Sequence, residues 1–263
     1  MADTAGSPGR LARLGMYDLP GLHDAHDRLW RNIRARLETG PDTYPPALDR
    51  DTDAWEAWQS PRLLLAQTCG LPYRARLHAR VTLVGAPDHR LPGCPPGHYR
   101  SVIVARTDDP RDDLPAFADA VFAYNEGLSQ SGWAAPAAHF SDRGIPMPRQ
   151  LCRTGGHAAS ARAVAEGRAD LAALDAVTWE ILRDTRAPGI AALRVLAQTA
   201  ATPALPYITA AGTDPEPLFD ALAGAIADLD RADRDALHLH GVVRLPASAY
   251  LALPLPPGPS PTY

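Results

Sequence analysis

Lysine is absent, so all 26 basic residues are arginine. A phosphate loop built on a Walker lysine is therefore excluded, and neither a GxGxxG fingerprint nor a GxSxG nucleophile elbow occurs. The absence reads as compositional bias of the kind a GC-rich genome produces, and it gives the arginines no special role. Cysteine is scarce: Cys69, Cys94 and Cys152 form no CxxC pair, which argues against zinc or thioredoxin-type chemistry. Three reduced thiols are the default, and a Cys69–Cys94 disulfide requires an oxidising compartment. No run approaches the ~20 apolar residues of a membrane span, and the first 18 residues hold no apolar stretch of signal-peptide length. The expectation is a cytoplasmic protein, or a periplasmic one if a leader has been removed. A net charge of −4 argues against a nucleic-acid partner. No metal or cofactor is expected. His238 and His240 alternate along an expected strand and read as solvated surface.

What is present is ordinary globular material, 263 residues with 46% hydrophobic and 21% charged side chains. Apolar runs predict strands at 11–17, 63–66, 80–86, 99–106, 171–174 and 193–198, with a short one at 42–48. Helical spacing predicts helices at 22–37, 55–60, 114–123, 133–140 and 217–229, and a short one from about 160. The near-continuous apolar strands suit sheets covered by helices on both faces, so the fold class is α/β. Crossovers are expected near 106, in the acidic stretch 108–115, and near 202. They divide the chain into one lobe of 1–105 with 203–263, and a second, inserted lobe of 106–202. The proline-rich end, PLPPGPSPTY, is expected not to pack.

Ligands of open α/β sheets collect at the carboxyl ends of strands. The stretch 155–180, GGHAASARAVAEGRADLAALDAVTWE, places His157 after a glycine turn and Asp175 at such a strand end. His157 is either an oxyanion donor or a solvated loop residue, and Asp175 either binds ligand or caps the helix that follows. In Ser129-Gln130-Ser131-Gly132-Trp133, hydroxyls and free N–H groups meet at a helix start, with Ser131 as the expected N-cap. That arrangement suits an anion or is an ordinary capped helix. Tyr17, Gln67 and Thr68 sit at the ends of two other strands and face the opposite lobe. No nucleophile–base–orienter set emerges from the spacing.

The ordered series SQSGW, GGHAASARAVAEGRADLAALD and LRVLAQTAATPALPYIT resembles the phosphate/phosphite/phosphonate-type substrate-binding proteins of ABC importers. LLLAQTCGLPY and YRSVIVART fit the same pattern. The resemblance implies a two-lobed type II periplasmic-binding-protein fold with mixed sheets, flanking helices and two interlobe crossovers. It implies a small oxyanion held by Ser129 and Ser131, by His157 and by Asp175, with Tyr17 lining the cleft. It also implies a monomer that delivers its ligand to an ABC permease. Gln130 interrupts the serine/threonine cluster of the family. Enzymes of thiamine-precursor and menaquinone type on the same fold, or a cytosolic ligand sensor, are the alternatives.

Overall fold

The computed structural model describes residues 9–37 and 44–259. The first part of the chain forms β1 (Leu11–Arg13), α1 (His23–Arg36), α2 (Ala54–Trp58), β2 (Leu63–Gln67) and α3 (Gly70–Pro72). A π-helical turn (Tyr73–Leu77) continues α3 into β3 (Val81–Asp88), β4 (His98–Tyr99), β5 (Ser101–Arg106) and β6 (Val121–Tyr124). Then follow α4 (Ala135–Ser141), β7 (Gln150–Arg153), α5 (His157–Ala165), β8 (Leu171–Asp175), α6 (Ala176–Asp184) and β9 (Leu193–Gln198). The return is made by β10 (Thr202–Pro203), β11 (Tyr207–Ala210), α7 (Glu216–Ala227), α8 (Arg231–Leu237), β12 (Gly241–Val243) and α9 (Ala247–Leu251).

Two five-stranded mixed sheets result, ordered β1-β2-β11-β3-β12 and β7-β6-β8-β5-β9. The second is built wholly from 101–198, between segments of the first. Every residue of β2 (LLLAQ) and β8 (LAALD) is buried, as strands covered on both faces require. On the first sheet, Leu218, Leu222 and Ile226 of α7 share one core with Leu29, Trp30 and Ile33 of α1. Each such side chain removed from water stabilises the fold by roughly 1.5–3 kcal/mol.

The lobe boundary differs from the expected one. The run 99–106 is not one strand: Tyr99 pairs with Thr202 in a two-stranded antiparallel ribbon, whereas Ser101–Arg106 pairs with β8 and β9. Residues 101–105 thus belong to the second sheet, and the two crossovers run side by side through β4 and β10. The acidic stretch 108–115 is no crossover either. It stays on the second lobe, where Arg111 bridges Asp109 and Asp170, and the Arg194 guanidinium donates to the carbonyls of Asp109 and Arg111.

Other expectations change for local reasons. The helix expected at 114–123 is a 3-10 turn at Leu114–Phe117, capped by Asp113, and then strand β6. Val121-Phe122-Ala123-Tyr124 has the β-branched and aromatic content that favours a strand when buried against neighbours. The strand expected at 11–17 ends at Arg13. Of the strand expected at 42–48, positions 42 and 43 lie outside the described residues and 44–48 form none; Pro45 and Pro46 lack ladder donors. His238 is not in a strand: it ends α8 with φ +47, and its Nε2 lies 2.9 Å from Asp184 Oδ2. All three cysteines are free thiols.

Of the proline-rich end, residues 260–263 lie outside the described residues, and 254–259 do pack. Arg74 donates to the Pro254 carbonyl (3.1 Å) and Trp133 Nε1 to the Pro257 carbonyl (2.9 Å). An extended segment of this kind leaves its carbonyls unpaired, and donors from both lobes use them. The result is a strap laid across the junction of the lobes.

Candidate functional site

Strand β8 delivers Asp175 to the crevice between the sheets and caps α6 with it. Oδ1 accepts from the N–H groups of Val177 (2.8 Å) and Thr178 (3.2 Å), the pairing expected of an N-cap aspartate. Oδ2 accepts from the Tyr17 hydroxyl (2.9 Å), which arrives from the other lobe. Asp175 is only 1% exposed, and burial pushes its carboxyl up to about 6. Tyr17 is raised as well, first by burial and then by the adjacent Asp175.

His157 is the first residue of α5, three positions earlier than the spacing implied. Gly155 supplies the left-handed turn before it (φ +84), and Gly156 occupies the N-cap with no side chain to bond the first turn. Thr154 Oγ1 pins this loop by bonding the Tyr124 carbonyl (3.1 Å) and Ser160 Oγ (2.6 Å). His157 Nε2 lies 2.9 Å from Ser131 Oγ and 3.3 Å from Asn125 Nδ2, while Nδ1 accepts from the Asp175 N–H (3.4 Å). Burial draws the imidazole down to about 4, so it is neutral at pH 7.

The helix start at 129–134 is capped by Ser129, not Ser131: Ser129 Oγ accepts from the Gly132 N–H at 2.9 Å. This frees the Ser131 side chain for His157. The first turn of that helix is π-helical (Gln130–Ala134), and Ser101 Oγ holds it by donating to the Ser131 carbonyl (2.9 Å).

These groups line one cavity of about 670 Å³. Of the expected residues, Tyr17, Ser129, Ser131, His157 and Asp175 are in its wall. Gln67, Thr68, Gly132 and Trp133 are not. Gln67 turns its amide to the Leu205 carbonyl (3.2 Å), and Thr68 is fully buried with its N–H on the Pro206 carbonyl. Gly132 is packed against Asn125, and Trp133 faces a second cavity beyond the strap. Asn125, at the end of β6, was missed because that strand was read as helix; the strand-end rule finds it once β6 is placed. Gly155, Gly156 and Ala158 also contribute to the wall, as do Gly258 and Pro259 of the strap. No arginine does, among the described residues.

A family model described as the periplasmic substrate-binding protein of ABC phosphonate transporters matches residues 56–249. The chain belongs to this family. Its fold is that of type II periplasmic binding proteins, as solved relatives show. PhnD1 from Prochlorococcus marinus, in complex with methylphosphonate, is 17% identical with a TM-score of 0.69, over 93% of this chain and 95% of that one. XAC2383 from Xanthomonas citri, bound to chloride ion, is 16% identical with a TM-score of 0.67, over 93% and 98%. A binding-protein component of an ABC phosphonate transporter from Pseudomonas aeruginosa is 14% identical with a TM-score of 0.67, over 89% and 80%. None of the curated protein sequences matches. This substrate-binding protein thus comes from a periplasmic family, and the expectation of a cytoplasmic protein finds no support there. No described helix is long and apolar enough to cross a membrane.

Proposed function

We propose that this binding protein captures a phosphonate or a related tetrahedral oxyanion between its lobes and hands it to an ABC permease. The observation that carries the reading is the meeting, in one cavity, of the uncapped first turn of α5 with the Ser131–His157 pair. Free N–H groups and the positive end of a helix dipole favour negative charge. Ser131 Oγ and His157 Nε2, 2.9 Å apart, form one hydrogen-bonded pair beside that helix start. Charge-assisted bonds from such donors hold an anion without a cationic side chain.

Asp175 has a different task from the contact expected of it. Its oxygens are taken by α6 and by Tyr17, so it fixes the cavity wall and joins the lobes. Gln130 N–H to Cys69 Sγ (3.3 Å) and the His238–Asp184 contact join them too. Opening the cleft breaks these bonds, and ligand supplies the compensation that favours closure.

The Ser131–His157 pair is also the one arrangement a hydrolase would share. No carboxylate orients Nδ1, however, and burial opposes the imidazolium that a general base must become. Binding is the better reading. Titration calorimetry with phosphate, phosphite and methylphosphonate tests it. Ser131→Ala should raise Kd about 10- to 100-fold, the effect of one hydrogen bond to a charged group, about 1.5–3 kcal/mol, with the melting temperature nearly unchanged. Absence of binding to every oxyanion would remove the proposal.

A further inference from the structure

We infer that the ligand carries a bulky apolar substituent, an aromatic or alkyl group of several carbons, on its oxyanion head. The inference rests on the oxyanion reading above and goes beyond it to the rest of the molecule. The two walls of the cavity differ in chemistry. Ser129, Ser131 and His157, with the glycine turn, come from the second lobe and supply the donors. The first lobe supplies Met16, Leu19, Trp55, Trp58 and Pro72, and the crossover adds Leu205. The Trp58 indole N–H is taken by the Gln67 carbonyl at 3.0 Å, and the Tyr17 hydroxyl beside it by Asp175. Trp55 and Trp58 pack edge to face, with ring centroids 5.1 Å apart, as one aromatic surface.

Size points the same way. A cavity of about 670 Å³ lies in the range that encloses drug-sized ligands, and a one-carbon phosphonate would leave most of it to water against apolar walls. Charge narrows the class further. The wall has no arginine, and Glu126, its acidic member besides Asp175, is ion-paired with Arg153 at 2.5 Å. A second anionic group on the ligand would find no partner there, so polyphosphates and carboxyphosphonates are disfavoured.

The test is calorimetry of the full chain with methyl-, propyl-, pentyl- and phenylphosphonate, with ATP as the polyanionic comparison. Affinity should rise about fourfold for each methylene added, and phenylphosphonate should bind at least tenfold more tightly than methylphosphonate. Trp55→Ala should reduce that phenyl-to-methyl ratio severalfold. Equal or weaker binding of the longer members, or tight binding of ATP, overturns this inference while leaving the oxyanion reading intact. Binding of no phosphonate overturns both.

Discussion

Replacing Asp175 with asparagine should tilt the dependence of stability on pH. An aspartate in the unfolded chain ionises near 3.8, but the folded protein keeps Asp175 protonated up to about 6. Between those values the native state holds the extra proton, so stability falls as pH rises through the window. Ionising Asp175 in place withdraws about 3 kcal/mol, all of it present below pH 4 and lost above pH 6. The asparagine does not titrate. Relative to wild type, Asp175→Asn should therefore gain about 3 kcal/mol between pH 4 and pH 6.5.

His157 works in the opposite sense. It stays neutral to about 4 when folded, whereas the unfolded chain takes up the proton near 6.5. Its contribution is present above pH 6.5 and is lost as pH falls towards 4, by about 2 kcal/mol for a ring partly open to the cavity. His89, also drawn down to about 4 by burial, adds to that side. The slopes oppose one another between pH 4 and 6, and His157→Gln should expose more of the aspartate's. Urea unfolding at pH 4, 5, 6 and 7 separates them. Parallel curves for wild type and Asp175→Asn would mean that Asp175 is ionised throughout.

Gly132→Ala should be the most damaging small substitution at the site. A Cβ at Gly132 would collide with the Asn125 side chain, standing 2.7 Å from its Cγ, and would lie 3.1 Å from Ser129 Oγ. Neither neighbour is free to yield. Asn125 is held against His157, and Ser129 Oγ is the cap that accepts from the Gly132 N–H itself. Overpacking of this kind costs about 3 kcal/mol with the cap disturbed as well, and the shift of Asn125 carries His157 with it. Lost stability and at least tenfold weaker oxyanion binding should appear together. Asn125→Ala in the same chain should restore much of the stability, and a double-mutant cycle measures how much. Strictly additive effects would show that the two side chains do not meet.

How much of this was legible beforehand depended on whether a residue's role had a period. Strands β2 and β8 were visible because consecutive buried positions leave an unbroken apolar run, and α7 because its stripe repeats every third or fourth residue. The break at Arg100 was not visible. A single residue separates the crossover ribbon from the second sheet, and its guanidinium is occupied locally with Cys94 and the Gly93 carbonyl. Residues 121–124 were misread because four apolar residues fit either a helix or a strand. Asn125 was lost with them. The pairing of Ser131 with His157 joins positions 26 apart through tertiary packing, and no local spacing encodes it. The glycine turn was legible for the reverse reason: only a left-handed residue makes it.

The strap has a practical side. Because Arg74 and Trp133 fix its carbonyls, Gly258 and Pro259 are presented at the mouth of the cavity. A fluorescent label attached at Gly258 would stand in the cavity wall, where, read optically, it signals occupancy.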